Sequence, residues 1–196
     1  MLRVIAAIVA TLVTTSALAQ AMSGISVGDT LAKTSELGIK PTFKENMGPF
    51  LIQKWRLGDG NDLSITAVRT SGQIVYMETN WGGKSSGAFS DVNGMVYGKT
   101  TLAEIRKRFG SNGFAYRDRG TGVELEDSIA LFNSYELEGH PGLVATFITR
   151  LSHRDAKAKK PYEAKLDTII VGHSSYLDTI WGDDKVFDDD YQKIKW

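Results

Sequence analysis

Cysteine is absent from the 196-residue chain. That absence excludes a lipid anchor on an N-terminal cysteine, a thiol nucleophile and a thiolate metal site. It does not exclude export, because about 175 residues can bury enough apolar surface without disulfides. A surplus of charge is also missing: Lys plus Arg is 23 and Asp plus Glu is 23. Losing Arg3 with the N-terminal segment would leave 22 against 23, a net charge of −1. Nothing in that balance draws nucleic acid.

Long apolar runs are lacking beyond the N-terminus. The first twenty residues, "MLRVIAAIVATLVTTSALAQ", carry Arg3, an apolar stretch from Val4 to Val13 and small residues ending in Ala17, Leu18 and Ala19. These are the three regions of a secretory signal peptide, and the apolar part is shorter than the roughly 20 residues of a membrane span. The sequence therefore predicts a signal peptide over 1–19 with cleavage near 19–21. No integral membrane segment is expected after its removal, and the location is periplasmic or secreted. Hydrophobic content of 42% and charged content of 23% place the rest among ordinary globular chains.

Two stretches have helical ends. "GDTLAKTSELG", Gly28 to Gly38, opens with polar Asp29 and Thr30, closes on Gly38 and is followed by Pro41, which predicts a two-turn helix. "GKTTLAEIRKRFG", Gly98 to Gly110, holds Thr101 three residues before Glu104, a capping box. Its apolar Leu102, Ile105 and Phe109 share one helical face, and Arg106, Lys107 and Arg108 sit where the helix dipole favours cations.

After each helix the period falls from 3.6 to 2. Phe50 to Leu57, Leu63 to Arg69 and Gln73 to Trp81 read as strands joined by "GDGN" and "TSG" turns. After the second helix, short strands at Phe114 to Arg117 and Val123 to Leu125 precede Ile129 to Glu138, Leu143 to Leu151 and Leu166 to Val171. "GGKSSGAFSDVNG", Gly82 to Gly94, has no apolar period and reads as a link. The expected fold class is α+β: two tandem helix-then-antiparallel-meander units, with helices packed on one face of the sheet. The first unit would span 22–83, the linker 84–93, the second and larger unit 94–182, and an acidic C-terminal tail 183–196. "YMETNWG" from Tyr76 and "YLDTIWG" from Tyr176 echo one another, but the second follows a strand and reads equally as a helix over 174–182.

The recurring pattern of an apolar residue, Gly, any residue, Thr, a short helix and a closing Gly resembles the SmpA/OmlA (BamE-like) family of small outer-membrane proteins. Gly28, Thr30, Gly38, Gly98, Thr100 and Gly110 carry it. Its tandem use resembles the β-lactamase-inhibitor-protein fold, whose two units form a concave sheet that grips a partner. The resemblance implies a structural role for these six positions and a protein partner. With no cysteine to lipidate, membrane anchoring does not carry over.

Candidate chemistry is sparse. "GKSSG" places Ser85 in a G-x-S-x-G frame after a strand, but a nucleophile elbow also needs a helix next, where this sequence reads as loop. "GGKS" lacks the first Gly of a phosphate-binding loop, having Glu78 there. His140, His153 and His173 have no second histidine at metal-ligand spacing, although His173 is flanked by Ser174, Ser175 and Asp178. "DDKVFDDD" lacks the spacing of a calcium loop and reads as a solvated tail able to pair with the cationic stretch Arg154 to Lys165. No metal, cofactor or catalytic residue is assigned.

Aromatic residues remain. Trp55, Tyr76 and Trp81 lie on neighbouring strands, and a sheet covered by helices on one side would present its other side to a partner. These three are the expected partner-binding residues, with core packing as the alternative for each. The expected function is an exported, non-enzymatic protein-binding module of the cell envelope that uses an open sheet face. A small periplasmic hydrolase with a Ser or His catalytic residue is the alternative.

Overall fold

The computed structural model describes residues 21–158 and 160–196; the expected signal segment 1–19 lies outside them. Two-residue alternation produces a first meander of β1 (Phe43–Met47), β2 (Phe50–Arg56), β3 (Asp62–Val68) and β4 (Ile74–Asn80). The "GDGN" segment turns as its composition demands. The Leu57 N–H donates to the Asn61 carbonyl at 2.8 Å, and the Asp59 carboxylate accepts from the Asn61 N–H at 2.9 Å.

A small hairpin, β5 (Ala88–Phe89) and β6 (Val96–Tyr97), leads to α1 (Leu102–Phe109). The predicted capping box forms: Thr101 Oγ1 accepts from the Glu104 N–H, and the Glu104 carboxylate accepts from the Thr101 N–H at 2.7 Å. Next come β7 (Phe114–Tyr116), β8 (Gly122–Glu124), β9 (Ser128–Glu136), β10 (Leu143–Ser152), α2 (His153–Lys157), β11 (Lys165–His173), α3 (Ser174–Trp181) and β12 (Lys185–Phe187).

β4 pairs antiparallel with β11, Asn80 opposite Thr168 and Tyr76 opposite Gly172. One antiparallel sheet results, in the order β1-β2-β3-β4-β11-β10-β9-β7-β12, with β8 also on β9. The two meanders thus meet through their last strands.

This overturns the expected fold class. Strand outweighs helix, 42% to 18%, and two helix-then-meander units with helices on one face do not form. The stretch Leu31–Leu37 is a 3-10 helix with no buried residue. Its apolar residues, Leu31 and Leu37, stand six apart; that spacing aligns them at three residues per turn but gives no stripe to hold an α-helix on the core. The two regular helices of eight residues, α1 and α3, lie on opposite faces of the sheet.

On the first face, Trp55, Leu63, Ile65, Met77, Phe147 and Ile169 pack beneath Met22, Ile25, Met95, Ile105, Phe109 and Ile194. On the second, Tyr76, Val144 and Ile170 pack beneath Tyr176 and Leu177 of α3, with Phe114 and Tyr116 of β7 alongside. The tail is part of this packing rather than free chain. β12 pairs with β7, and Ile194 is 2% exposed. Asp183, Asp184, Asp188, Asp189 and Asp190 face water, Val186 and Phe187 between them are largely exposed, and Tyr191 and Ile194 after them dock. Its charges pair with Arg117, Asp178, Glu136 and Glu138, not with Arg154 to Lys165.

Candidate functional site

The second face is only partly covered. Register places Phe43, Glu45 and Met47 of β1 opposite Lys54, Ile52 and Phe50 of β2, so all six share that face. α3 reaches as far as Phe50, whose ring meets Tyr176 edge-on at 4.9 Å, while Tyr76 lies 5.5 Å from the same Tyr176 ring. Beyond Phe50 the sheet is open. Phe43 is 42% exposed and Met47 49%, with Ile52 half-buried between them. Glu45, Lys54 and Arg56 rim the strip; the Lys54 ammonium sits 5.5 Å from the Phe43 ring centre, and Arg56 pairs with Asp62 at 2.9 Å. Among the described residues β1 pairs with β2 alone, so the other edge of β1 carries unpaired backbone groups.

A polar chain borders the strip on the inner side. The Tyr76 hydroxyl donates to Glu78, Asn80 Nδ2 donates to the same carboxylate at 2.7 Å, and Thr168 Oγ1 donates to Asn80 Oδ1 at 2.7 Å. Burial first, and then the adjacent Glu78 charge, push the Tyr76 phenol well above the ordinary tyrosine range. Further in, the Arg119 guanidinium lies 3.9 Å over the Phe132 ring, and burial lowers its pKa.

Of the three aromatic residues expected at a partner surface, only Tyr76 is on this face, 9% exposed at the border of the open strip. Trp55 is 1% exposed and points into the core on the first face. Trp81 packs on the same core, its ring lying against Gly98, where a Cβ would come within 2.4 Å of Cζ2. The three are not brought together. Phe43 and Met47 were missed because "FKENM" carries three polar residues in a row. The usable signal was "GP" at 48 and 49 between two extended stretches: Met47 opposes Phe50, and Gly48 has φ 56°.

Among the described residues Ser85 makes no hydrogen bond with His140, His153 or His173. Ser85 lies in a turn followed by β5 rather than by a helix. His153 Nε2 lies 3.1 Å from the Leu125 carbonyl, and His173 Nδ1 meets Ser175 Oγ at 2.8 Å, a local contact at the start of α3. Among the described residues no carboxylate pairs with an imidazole, and no three His, Asp or Glu side chains converge to hold a metal. Among them, too, no helix is long and apolar enough to cross a membrane. Compared with family models, with curated proteins and with solved structures, the chain matches none.

Proposed function

We propose that this chain is an exported, non-enzymatic protein-binding module that grips its partner with the uncovered strip of the sheet's second face. One observation carries the reading: two large apolar side chains, Phe43 and Met47, stand out together from a free edge strand. An unpaired edge of this kind templates an added strand, and apolar side chains beside it supply the anchors that such recognition uses. Lys54 and Glu45 on the rim give the contact register and partner choice rather than bulk affinity. Tyr76 borders the contact, fixed by its bond to Glu78.

The test is site-specific photocrosslinking in the periplasm of the producing cell. A photoreactive side chain at position 47 is expected to give a discrete protein adduct, and one at the exposed Phe89 is not. Phe43→Asp should reduce the adduct about tenfold while shifting stability by no more than about 0.5 kcal/mol. Equal labelling from positions 47 and 89, or an adduct indifferent to Phe43→Asp, would count against the reading.

A further inference from the structure

A cleft opens on the edge of β9 that faces away from β10, where β7 and β8 leave a gap. β8 pairs with β9 at Ile129, Ala130 and Leu131, and β7 only at Ser134, so Phe132 and Asn133 lie between the two contacts. Two cavities of about 320 and 440 Å³ meet here, sharing Arg106, Asn112, Thr121, Phe132, Asn133 and Asp188. Volumes of this size hold small organic molecules.

Two polar side chains line the cleft side by side. Asn133 is 2% exposed, and its Oδ1 accepts from Arg106 Nε at 3.1 Å and from Nη2 at 2.9 Å. That double contact fixes which way the amide points and leaves Nδ2 as a donor. Among the described residues nothing accepts from Asn133 Nδ2 or from Arg106 Nη1, and no carboxylate comes within 4.0 Å of the Arg106 guanidinium. Tyr162 flanks the guanidinium, its ring centre 5.6 Å away. The half-exposed Arg106 guanidinium, with no carboxylate against it, favours an anion at this place. Asp188, on the same wall, also makes no ion pair among the described residues.

We propose that this cleft binds a monocarboxylate with an aromatic or apolar body. The carboxylate accepts from Asn133 Nδ2, and the Arg106 guanidinium, whose Nε and Nη2 are held by Asn133 Oδ1, supplies the positive charge beside it. The body of the ligand lies along Tyr162, with Leu102 and Leu131 beside it on the same face of the sheet. Asp188 sets the charge limit, since a second negative charge on the ligand, as on a phosphate, meets a carboxylate of like sign. A free organic acid and the C-terminus of a peptide share this chemistry. The site is on β9, four strands from β3 and further from β1, so it stands or falls apart from the proposed partner strip.

The test is titration of the 15N-labelled protein with 3-phenylpropionate, read at the Asn133 side-chain amide and at Arg106 Nε. Saturable shifts of both, with a Kd below about 1 mM, are expected. 3-Phenylpropionamide and phenyl phosphate should bind at least about tenfold more weakly. The peptide Ala-Ala-Phe binding more tightly than 3-phenylpropionate identifies a peptide terminus; weaker binding identifies a free acid. Asn133→Asp keeps the Arg106 contact but replaces the donor with a charge, and should abolish the shifts. Asp188→Asn, an exposed change that leaves the fold alone, should tighten binding several-fold. The proposal is overturned if neither carboxylate gives a saturable shift at about 10 mM, if the amide or the phosphate binds as well, or if Asp188→Asn leaves affinity unchanged.

Discussion

A single hydrogen atom at position 82 decides a contact that no local pattern announces. A Cβ built on Gly82 would stand 1.7 Å from the Gly60 carbonyl oxygen and 2.5 Å from its carbon, both backbone atoms that cannot swing away. The close approach is held by Asn61 Oδ1, which accepts from the Gly82 N–H at 2.9 Å. Gly82→Ala is therefore expected to cost about 2 kcal/mol or more. At Gly58, in the same turn, a Cβ meets nothing within 4 Å, so Gly58→Ala should stay within about 0.5 kcal/mol. Urea midpoints of the two variants check this, and equal midpoints would sink the account. The sequence made the "GDGN" turn legible because Asp, Gly and Asn fix it within four residues. Gly82 read only as loop, because its partner is twenty-two positions away and the reason for glycine lies wholly in that partner. Trp55 and Trp81 failed for a related reason: alternation sorts side chains into two faces but does not say which face the rest of the chain will cover.

Elements were legible where their chemistry is local. The capping box at Thr101 and Glu104 satisfies two backbone donors within four residues, and α1 forms as expected between its predicted ends. Thr101→Ala should cost about 1 kcal/mol. Glu104 adds a pH dependence. The Thr101 N–H and hydroxyl donating to it hold its carboxyl below the ordinary glutamate value in the folded chain. Its contribution is accordingly present above the unfolded value of about 4.3 and is lost as pH falls through the lower folded value. Urea unfolding of Glu104→Gln against the parent should show a deficit at neutral pH that shrinks toward about pH 3; a deficit that is the same at both would reject the charge as its cause. The first helix came out as 3-10 because its end signals were right but it lacked an apolar stripe. β1 went unread for the opposite reason: its side chains are all exposed, so no core-facing alternation marks it.

At the scale of the whole molecule, the joining of β4 to β11 places Asn80 beside Thr168 across 88 positions, and period alone cannot specify such a pairing. One trace of it was present. "TIIVG" in β11 is a continuous apolar run rather than an alternation, as befits a strand covered on both faces, and α1 and α3 do lie on opposite sides of the sheet. That double covering has a consequence for alkaline stability. Burial raises the phenols of Tyr76, Tyr97, Tyr116, Tyr135 and Tyr191, which sit on both faces and at the docked tail. In the unfolded chain each loses its proton near pH 10, whereas in the folded chain each keeps it to higher pH. Above about pH 10 the unfolded state therefore binds fewer protons than the native one, so stability falls as pH rises and is unaffected by these groups below that point. Titration followed by tyrosinate absorbance should show these phenols ionising late and together, in the same narrow pH interval in which the circular dichroism of the sheet collapses. If all the tyrosines ionised smoothly near pH 10 with the sheet signal intact, the second face and the tail would be open to water, and the packing of α3 over the sheet, with Phe114 and Tyr116 of β7 beside it, would have to be given up.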